Sequence, residues 1–475
     1  MSRTIRRAAC HENLECLLSR RRGELLHAVA REAPAFELYR HSLPARRLVP
    51  FGLARRVRSF LNDDKTIERS DLTRALRSAG AGGFVPSYRS SPHLERWGAE
   101  AGLELLTPSY RLQRFLEDKL RFHRLLEQHG LPAPAGRELT APEQIRALPP
   151  FPLVCQTPDG EGMEGTFLVD SRRELRARLE RGALKLPLLC RRFVRGTALG
   201  ITIVVGAREL ILSAVRHQCR RLHRRQRDLA GVQWAAELPH ALRTAIARVM
   251  AALGRVLRQT GFRGAANVDF VVDSGGGAGQ VLIIECNPRW SSSTPLLALE
   301  PELLHGLDLV TEYIRAVRGF PLSAHRPRLP RSRFEGAYVD LGEWALSVTR
   351  AAGRRVVDSM PRLGVYGFEG DRLRFLSPDV GDLHAGDRLL LHYSTPPRTR
   401  LGARSDLGSL LTRFPLFSFR EGRAALTRRG HALLEQLVRE VRFRRPPRTL
   451  ADLAAASPLG AMISASARPP RAPAG

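Results

Sequence analysis

The 475-residue sequence predicts a multidomain protein of mixed α/β and α+β class. Three observations predict it. The chain is longer than one hydrophobic core can organise, and its 43% apolar content is enough for three or four such units. Up to about residue 108, short apolar runs such as RLVPF and GGFVPSY alternate with polar helical stretches, a βα layout. Further on, residues 265–294 read as two strands around a Gly-rich turn, and 334–395 as a succession of short strands. The Pro- and Arg-rich stretch after Phe320 and the composition of the last residues place boundaries near residues 322, 334 and 460.

Taken in order, residues 12–32 space Leu14, Leu17, Leu18, Leu25, Leu26 and Val29 as a helix would. The segment YRLQRFLEDKLRFHRLLEQHGLPAP predicts one long helix striped by Leu112, Phe115, Leu116, Leu120, Leu125 and Leu126, stopped by Gly130 and Pro132. FPLVCQTPDGEGMEGTFLVDS follows as strand, Gly-rich turn and strand. Gly160, Gly162 and Gly165 let backbone N–H groups approach an anion unobstructed, and Thr166 adds a hydroxyl. LPLLCRRFVRG, ALGITIVVG and ELILSAV predict strands, and 239–260 a helix. An Arg-rich run from Arg216 to Arg227, with His217 and His223, reads equally as a loop closing on anions or as a solvated loop. Beyond the Pro- and Arg-rich linker 321–334 come FEGAYVDL, GVYGFEG, RLRFL and RLLLHYS as strands, a helix near 421–442, and a tail at 461–475 whose composition predicts disorder.

The 265–294 segment carries the most chemistry. Val268, Phe270 and Val272 alternate with Asn267, Asp269 and Val271; Leu282 and Ile284 alternate with Ile283, Glu285 and Asn287. A symmetric hairpin sets Asp273 opposite Val281, and hence Asp269 opposite Glu285 and Asn267 opposite Asn287. Two like charges facing each other at ~5 Å repel by roughly 3 kcal/mol at an effective dielectric near 20. A cation between them removes the penalty. Asp269, Glu285 and Asn287 offer the oxygen donors that suit Mg²⁺, and Arg289 returns to the same side, where a guanidinium can stabilise a transferring phosphoryl group.

The string IIECNPRWSSS resembles the metal-binding end of ATP-grasp ligases. The resemblance covers about residues 85–315 and implies an ATP-grasp fold with a Rossmann-like N-terminal domain at 1–108, a small lobe at 109–190, a large lobe at 191–322 and a β-rich appendage at 334–460. It implies that Asp269, Glu285 and Asn287 hold Mg²⁺ (or Mn²⁺) on ATP and that Arg289 lies beside the reacting phosphate. Asp-Lys before Gly-Leu-Pro-x-Pro implies that Lys119 points at the phosphates, and Gly160, Gly162, Gly165 and Thr166 match the loop that covers them. Arg192 and Val194 occupy the hinge whose backbone reads adenine. Two departures stand out. Gln156 replaces the usual lysine, so either a nearby arginine compensates or the nucleotide is held more weakly; and Thr197, Ala198 and Leu199 stand where many relatives have a ribose-binding acid. The implied activity is ATP-dependent carboxylate–amine ligation through an acyl phosphate, on a small-molecule carboxylate and amine. The alternatives are ATP binding without turnover, or a basic polyanion binder with relic motifs.

Composition narrows the partners. The formal charge is +29, yet the only lysines are Lys65, Lys119 and Lys185, so arginine carries nearly all the positive charge, as codon usage in a GC-rich genome would produce. Salt-sensitive phosphate affinity follows, but no specific nucleic-acid partner. Six cysteines without metal or redox spacing read as reduced packing residues. The lack of a long apolar run or leader pattern predicts a cytoplasmic chain with no membrane partner; a homodimer is left open.

Overall fold

The computed structural model describes residues 82–444 except 87–88, 161–164, 220–230, 235–237, 274–278, 292–293, 342–355, 385, 394–407 and 421–422, together with residue 77 and the backbone of three N-terminal strands. Those strands are β1 (Ala8–His11), β2 (Leu26–Arg31) and β3 (Leu48–Phe51); with β4 (Gly83–Val85) and β5 (Glu104–Leu105) they form a parallel sheet in the order β3-β2-β1-β4-β5. Every pairing in it is parallel, the layout expected of a Rossmann-like unit. The helix expected over 12–32 is therefore wrong at its C-terminal end, where Leu26–Arg31 is a strand. Strands of a parallel sheet covered on both faces read as near-continuous apolar runs, and Leu25, Leu26 and Val29 fit a helical stripe as well. Residues 12–25 lie outside the described residues.

Helix α1 (Pro92–Ala101) leads to α2 (Tyr110–Glu117) and α3 (Lys119–Gln128). The single long helix of the sequence reading is thus two. Asp118 ends the first in extended conformation (ψ 114°) and caps the second, its carboxylate accepting from Leu120 and Arg121 N–H, each at 3.0 Å. A short polar side chain competing for backbone donors is a helix start, and here it sits inside an otherwise continuous apolar stripe.

The small lobe is a four-stranded antiparallel sheet in the order β6 (Gly136–Leu139), β9 (Leu188–Arg192), β7 (Leu153–Gln156), β8 (Thr166–Val169), with α4 (Arg172–Glu180) between β8 and β9 in sequence. Its own core gathers Leu139, Ile145, Leu153, Cys155, Val169, Leu175 and Cys190.

The large sheet begins with β15 (Gln280–Asn287), β14 (Gly264–Asp273), β10 (Gly196–Val205), β12 (Arg216–Gln218) and β13 (Gly231–Trp234), with β11 (Leu210–Leu212) beside β10. It continues through β16 (Ala337–Asp340), β21 (Ser409–Thr412), β20 (Arg388–His392), β18 (Gly364–Glu369) and β19 (Arg372–Ser377), so the C-terminal strands extend the same sheet across the β13–β16 pairing. β17 (Val356–Ser359) pairs separately with β24 (Arg442–Arg444), and β22 (Phe417–Arg420) with β23 (Arg423–Leu426). That last hairpin and helix α8 (Arg428–Glu440) share the span where one helix near 421–442 was expected.

One face of the large lobe is apolar. Ile201 and Ile203 of β10, Ala266, Val268 and Phe270 of β14, and Ile283 and Cys286 of β15 pack with Phe122, Leu125 and Leu126 of α3 and with Ile246, Met250 and Leu253 of α5 (His240–Gln259). The opposite face starts apolar, where Val204 and Ala265 share a core with α6 (Thr294–Leu299) and α7 (Leu309–Val317). It then turns polar: Thr202 and Gly200 on β10, and Asn267 and Asp269 on β14. This change of character along one sheet face creates the site.

Candidate functional site: paired carboxylates between two sheets

Strands β14 and β15 pair Asp269 with Glu285 and Asn267 with Asn287, as the hairpin arithmetic predicts. Nearer the turn the register differs by one: Asp273 faces Gln280, not Val281, and Phe270 faces Ile283. Ile284 is the extra residue of a bulge between these two stretches. Its effect on the site is decisive, because side chains alternate with a period of two. Val281 and Ile283 enter the apolar core; without the bulge Glu285 would follow them. With it, Cys286 takes the core position and Glu285 and Asn287 emerge beside Asp269.

The surroundings are cationic. Lys119, the first residue of α3 and only 6% exposed, donates to the Gly160 carbonyl of the Gly-rich turn and lies 3.9 Å from Glu285 Oε2. Asn287 Nδ2 donates to Glu285 Oε1 at 3.2 Å. Burial works against an ionised Glu285, but Lys119, Asp269, Asn287 and Arg191 together hold its carboxyl below the usual range. Arg289 donates to Asn287 Oδ1 at 3.1 Å and through Nε to Glu117, which Arg89 also meets at 3.3 Å. On the other side, Gln218 Nε2 donates to Asp269 Oδ1 at 2.7 Å, and Arg216 stands 3.9 Å from the same oxygen while donating to Thr202 Oγ1 and Asn267 Oδ1. Burial lowers the Arg216 pKa to about 10 against the pull of Asp269. Gly200, paired with Asp269, leaves room for this cluster: a Cβ there would sit 3.0 Å from Arg216 Cζ, Asp269 Oδ1 and Gln218 Nε2, so these side chains would have to give way.

The small lobe supplies the other wall. Gln156 ends β7 and donates to Thr166 Oγ1 at 3.2 Å, while its own oxygen accepts from Arg191. Gly165 (φ 72°) closes the turn: its carbonyl accepts from Thr157 N–H at 2.9 Å, and a Cβ would lie 2.0 Å from Thr157 Oγ1. Arg192 donates its N–H to Ala135, and its guanidinium reaches Asp273 at 3.5 Å, where the two sheets meet. Val194 follows just past the end of β9, partly buried. Gly162, Ser292, Ser293 and most of the Arg-rich run lie outside the described residues.

The structure thus gathers Lys119, Gly160, Asp269, Glu285, Asn287 and Arg289 at one place, and Gln156 and Thr166 beside it. Sequence reasoning missed Arg191, Gln218, Glu117 and Gly200, and read Arg216 only as the start of an Arg-rich loop, whereas it is buried and opens strand β12. A charged residue in an apolar strand was the available signal for Arg191, but an arginine-rich chain mutes it. The donor set of two carboxylates and an amide oxygen, with no thiol or imidazole, fits a hard divalent cation that takes its remaining ligands from a phosphate chain. Among the described residues no cluster of three or more His, Cys, Asp or Glu offers another metal site.

A family model described as an ATP-grasp domain matches residues 116–293, which span both lobes and every residue of this cluster from Glu117 onward. Residues 116–293 form an ATP-grasp domain. In sequence, the chain is similar to the arginine-specific large chain of carbamoyl phosphate synthase from Geobacillus stearothermophilus, 27% identical over 242 residues, 47% of this chain and 22% of that one. The chain spans between about a fifth and a third of the length of the curated relatives it matches first. Its fold is similar to Campylobacter jejuni biotin carboxylase (TM-score 0.58, 16% identity, covering 93% of this chain and 92% of that one). It is likewise similar to the biotin carboxylase domain of Hydrogenobacter thermophilus 2-oxoglutarate carboxylase (TM-score 0.59, 14% identity, 95% and 94% covered). ATP-grasp folding therefore accounts for the two sheets.

Proposed function

We propose that this chain is an ATP-dependent carboxylate–amine ligase, joining a small-molecule acid to a small-molecule amine through an acyl phosphate. The observation that carries the reading is Lys119 touching both the Gly-rich turn and Glu285, opposite Asp269. A cation that spans the turn and the acid pair has a use if a phosphate chain lies between them. Asp269, Glu285 and Asn287 would hold Mg²⁺ (or Mn²⁺), whose chemistry is to neutralise phosphate oxygens. Lys119 and the Gly160–Thr166 turn orient the chain of phosphates, Arg192 and Val194 flank the base, and Arg289, fixed by Glu117, stands where charge develops on the transferred group. In support, the Hydrogenobacter domain was solved with MgADP and bicarbonate.

The test is ADP formation by pure protein given ATP, Mg²⁺ and pools of carboxylic acids and amines. Turnover that needs both an acid and an amine is the expected result, and Asp269→Asn or Glu285→Gln should reduce it at least about a thousandfold with the fold retained. Wild-type turnover in either variant would remove the metal assignment. The neutral Gln156 favours a second reading, nucleotide binding without turnover; tight MgADP binding with no ADP release on any acid–amine pair would select it.

A further inference from the structure

Strands β7 and β9 pair Gln156 with Leu189 and Val154 with Arg191, which makes Gln156 and Arg191 diagonal neighbours on one face of the small sheet. Cys155 and Cys190, between them, point the other way into the lobe's core. Arg191 is 3% exposed. Its NH2 donates to Gln156 Oε1, and its NH1 crosses to the large lobe to donate to the Ile284 carbonyl at 2.8 Å, the group that the bulge carries. Both of these oxygens are neutral. The negative charge that acts on Arg191 is Glu285, which Lys119 already approaches at 3.9 Å. With Arg289 paired to Glu117, three cations (Lys119, Arg191 and Arg216) face two acids (Asp269 and Glu285) before any metal ion is added. A buried excess of positive charge calls for an anionic ligand.

Resting on the nucleotide reading above, we propose that Arg191, aimed by Gln156, is the polyphosphate-binding cation of the small lobe, taking from β9 the charge that the neutral Gln156 does not supply from β7. Gln156 is then a positioning residue. Its Nε2 is tied to Thr166 Oγ1, which turns Oε1 toward Arg191 and holds the guanidinium against the Ile284 carbonyl, one residue before Glu285. The positive charge has moved one strand over, and the amide holds it in place.

The experiment titrates MgADP and adenosine separately against wild-type protein and three variants, with thermal unfolding as the control for folding. Arg191→Gln should weaken MgADP at least about tenfold and leave adenosine affinity unchanged, since a merely structural loss would weaken both. Arg191→Lys should stay within about fivefold of wild type. The double variant Arg191→Gln with Gln156→Lys returns the charge to β7 and should recover most of the loss. If Arg191→Gln does not fold, the double variant decides: folded and binding supports the proposal, folded and not binding overturns it. MgADP affinity unchanged in folded Arg191→Gln also overturns it. Wild-type protein that binds no MgADP would instead remove the nucleotide reading itself, a distinct result.

Discussion

Lys119 is one of three lysines in a chain of arginines, and it reaches both the Gly160 carbonyl of the Gly-rich turn and the Glu285 carboxylate. Its charge, with Asp269, Asn287 and Arg191, outweighs the burial that would otherwise raise the Glu285 pKa. A carboxylate whose pKa is depressed keeps its metal-ready form above that lowered value and loses it as the pH falls through it. Lys119→Met removes the largest of the forces holding the value down, so the acid limb of MgADP affinity should move to higher pH, measured by titration between pH 4 and 7. Superimposable wild-type and variant profiles would contradict this account. Asp269, Glu285 and Asn287 were legible in the sequence because strand alternation converts their spacing into position, and Lys119 only through the resemblance that Asp-Lys and Gly-Leu-Pro-x-Pro carry. Arg191 and Arg216 were not, since which arginine is buried depends on which strand faces the other sheet.

At the scale of elements, two local devices set the geometry, and the apolar pattern reveals neither. The first is the break at Asp118. An unbroken helix fits the stripe from Leu112 to Leu126, but the Asp118 carboxylate takes two backbone donors and restarts the helix at Lys119. Asp118→Ala should cost about 1 kcal/mol, the usual value of a lost cap, seen as a several-fold faster amide exchange at residues 120–122. Exchange equal to wild type would show that the cap adds nothing. The second device is the bulge at Ile284. Alternation alone assigns Ile283 to the face of Glu285, whereas the pairing places them on opposite faces. The hairpin itself, the pairing of the acids and most strands of the large sheet were readable because their apolar runs are long; the bulge was not, because one extra residue leaves composition and turn unchanged.

Over the whole molecule, the N-terminal parallel sheet, the small lobe and the antiparallel sheet followed from segment order and from the resemblance, but no segment signalled that the C-terminal strands would join the large lobe edge to edge. The join has a polar clasp. Gln233 on β13, 4% exposed, accepts from Leu416 and Phe417 N–H at 2.8 Å each and donates to the Phe417 carbonyl at 3.0 Å. Gln233→Leu strands three buried backbone groups, which should destabilise the C-terminal region by on the order of 3 kcal/mol. Limited proteolysis is the measurement, with cleavage after residue 400 rising well before the ATP-grasp core is cut; an unchanged digestion pattern would refute the clasp. Because β13 gives its outer hydrogen bonds to β16, a fragment ending near residue 322 would present Val232 and Trp234 on a bare strand rim. The nucleotide half is therefore not a detachable cassette, and grafting it into another protein means carrying its C-terminal neighbour along as a built-in shield against self-association.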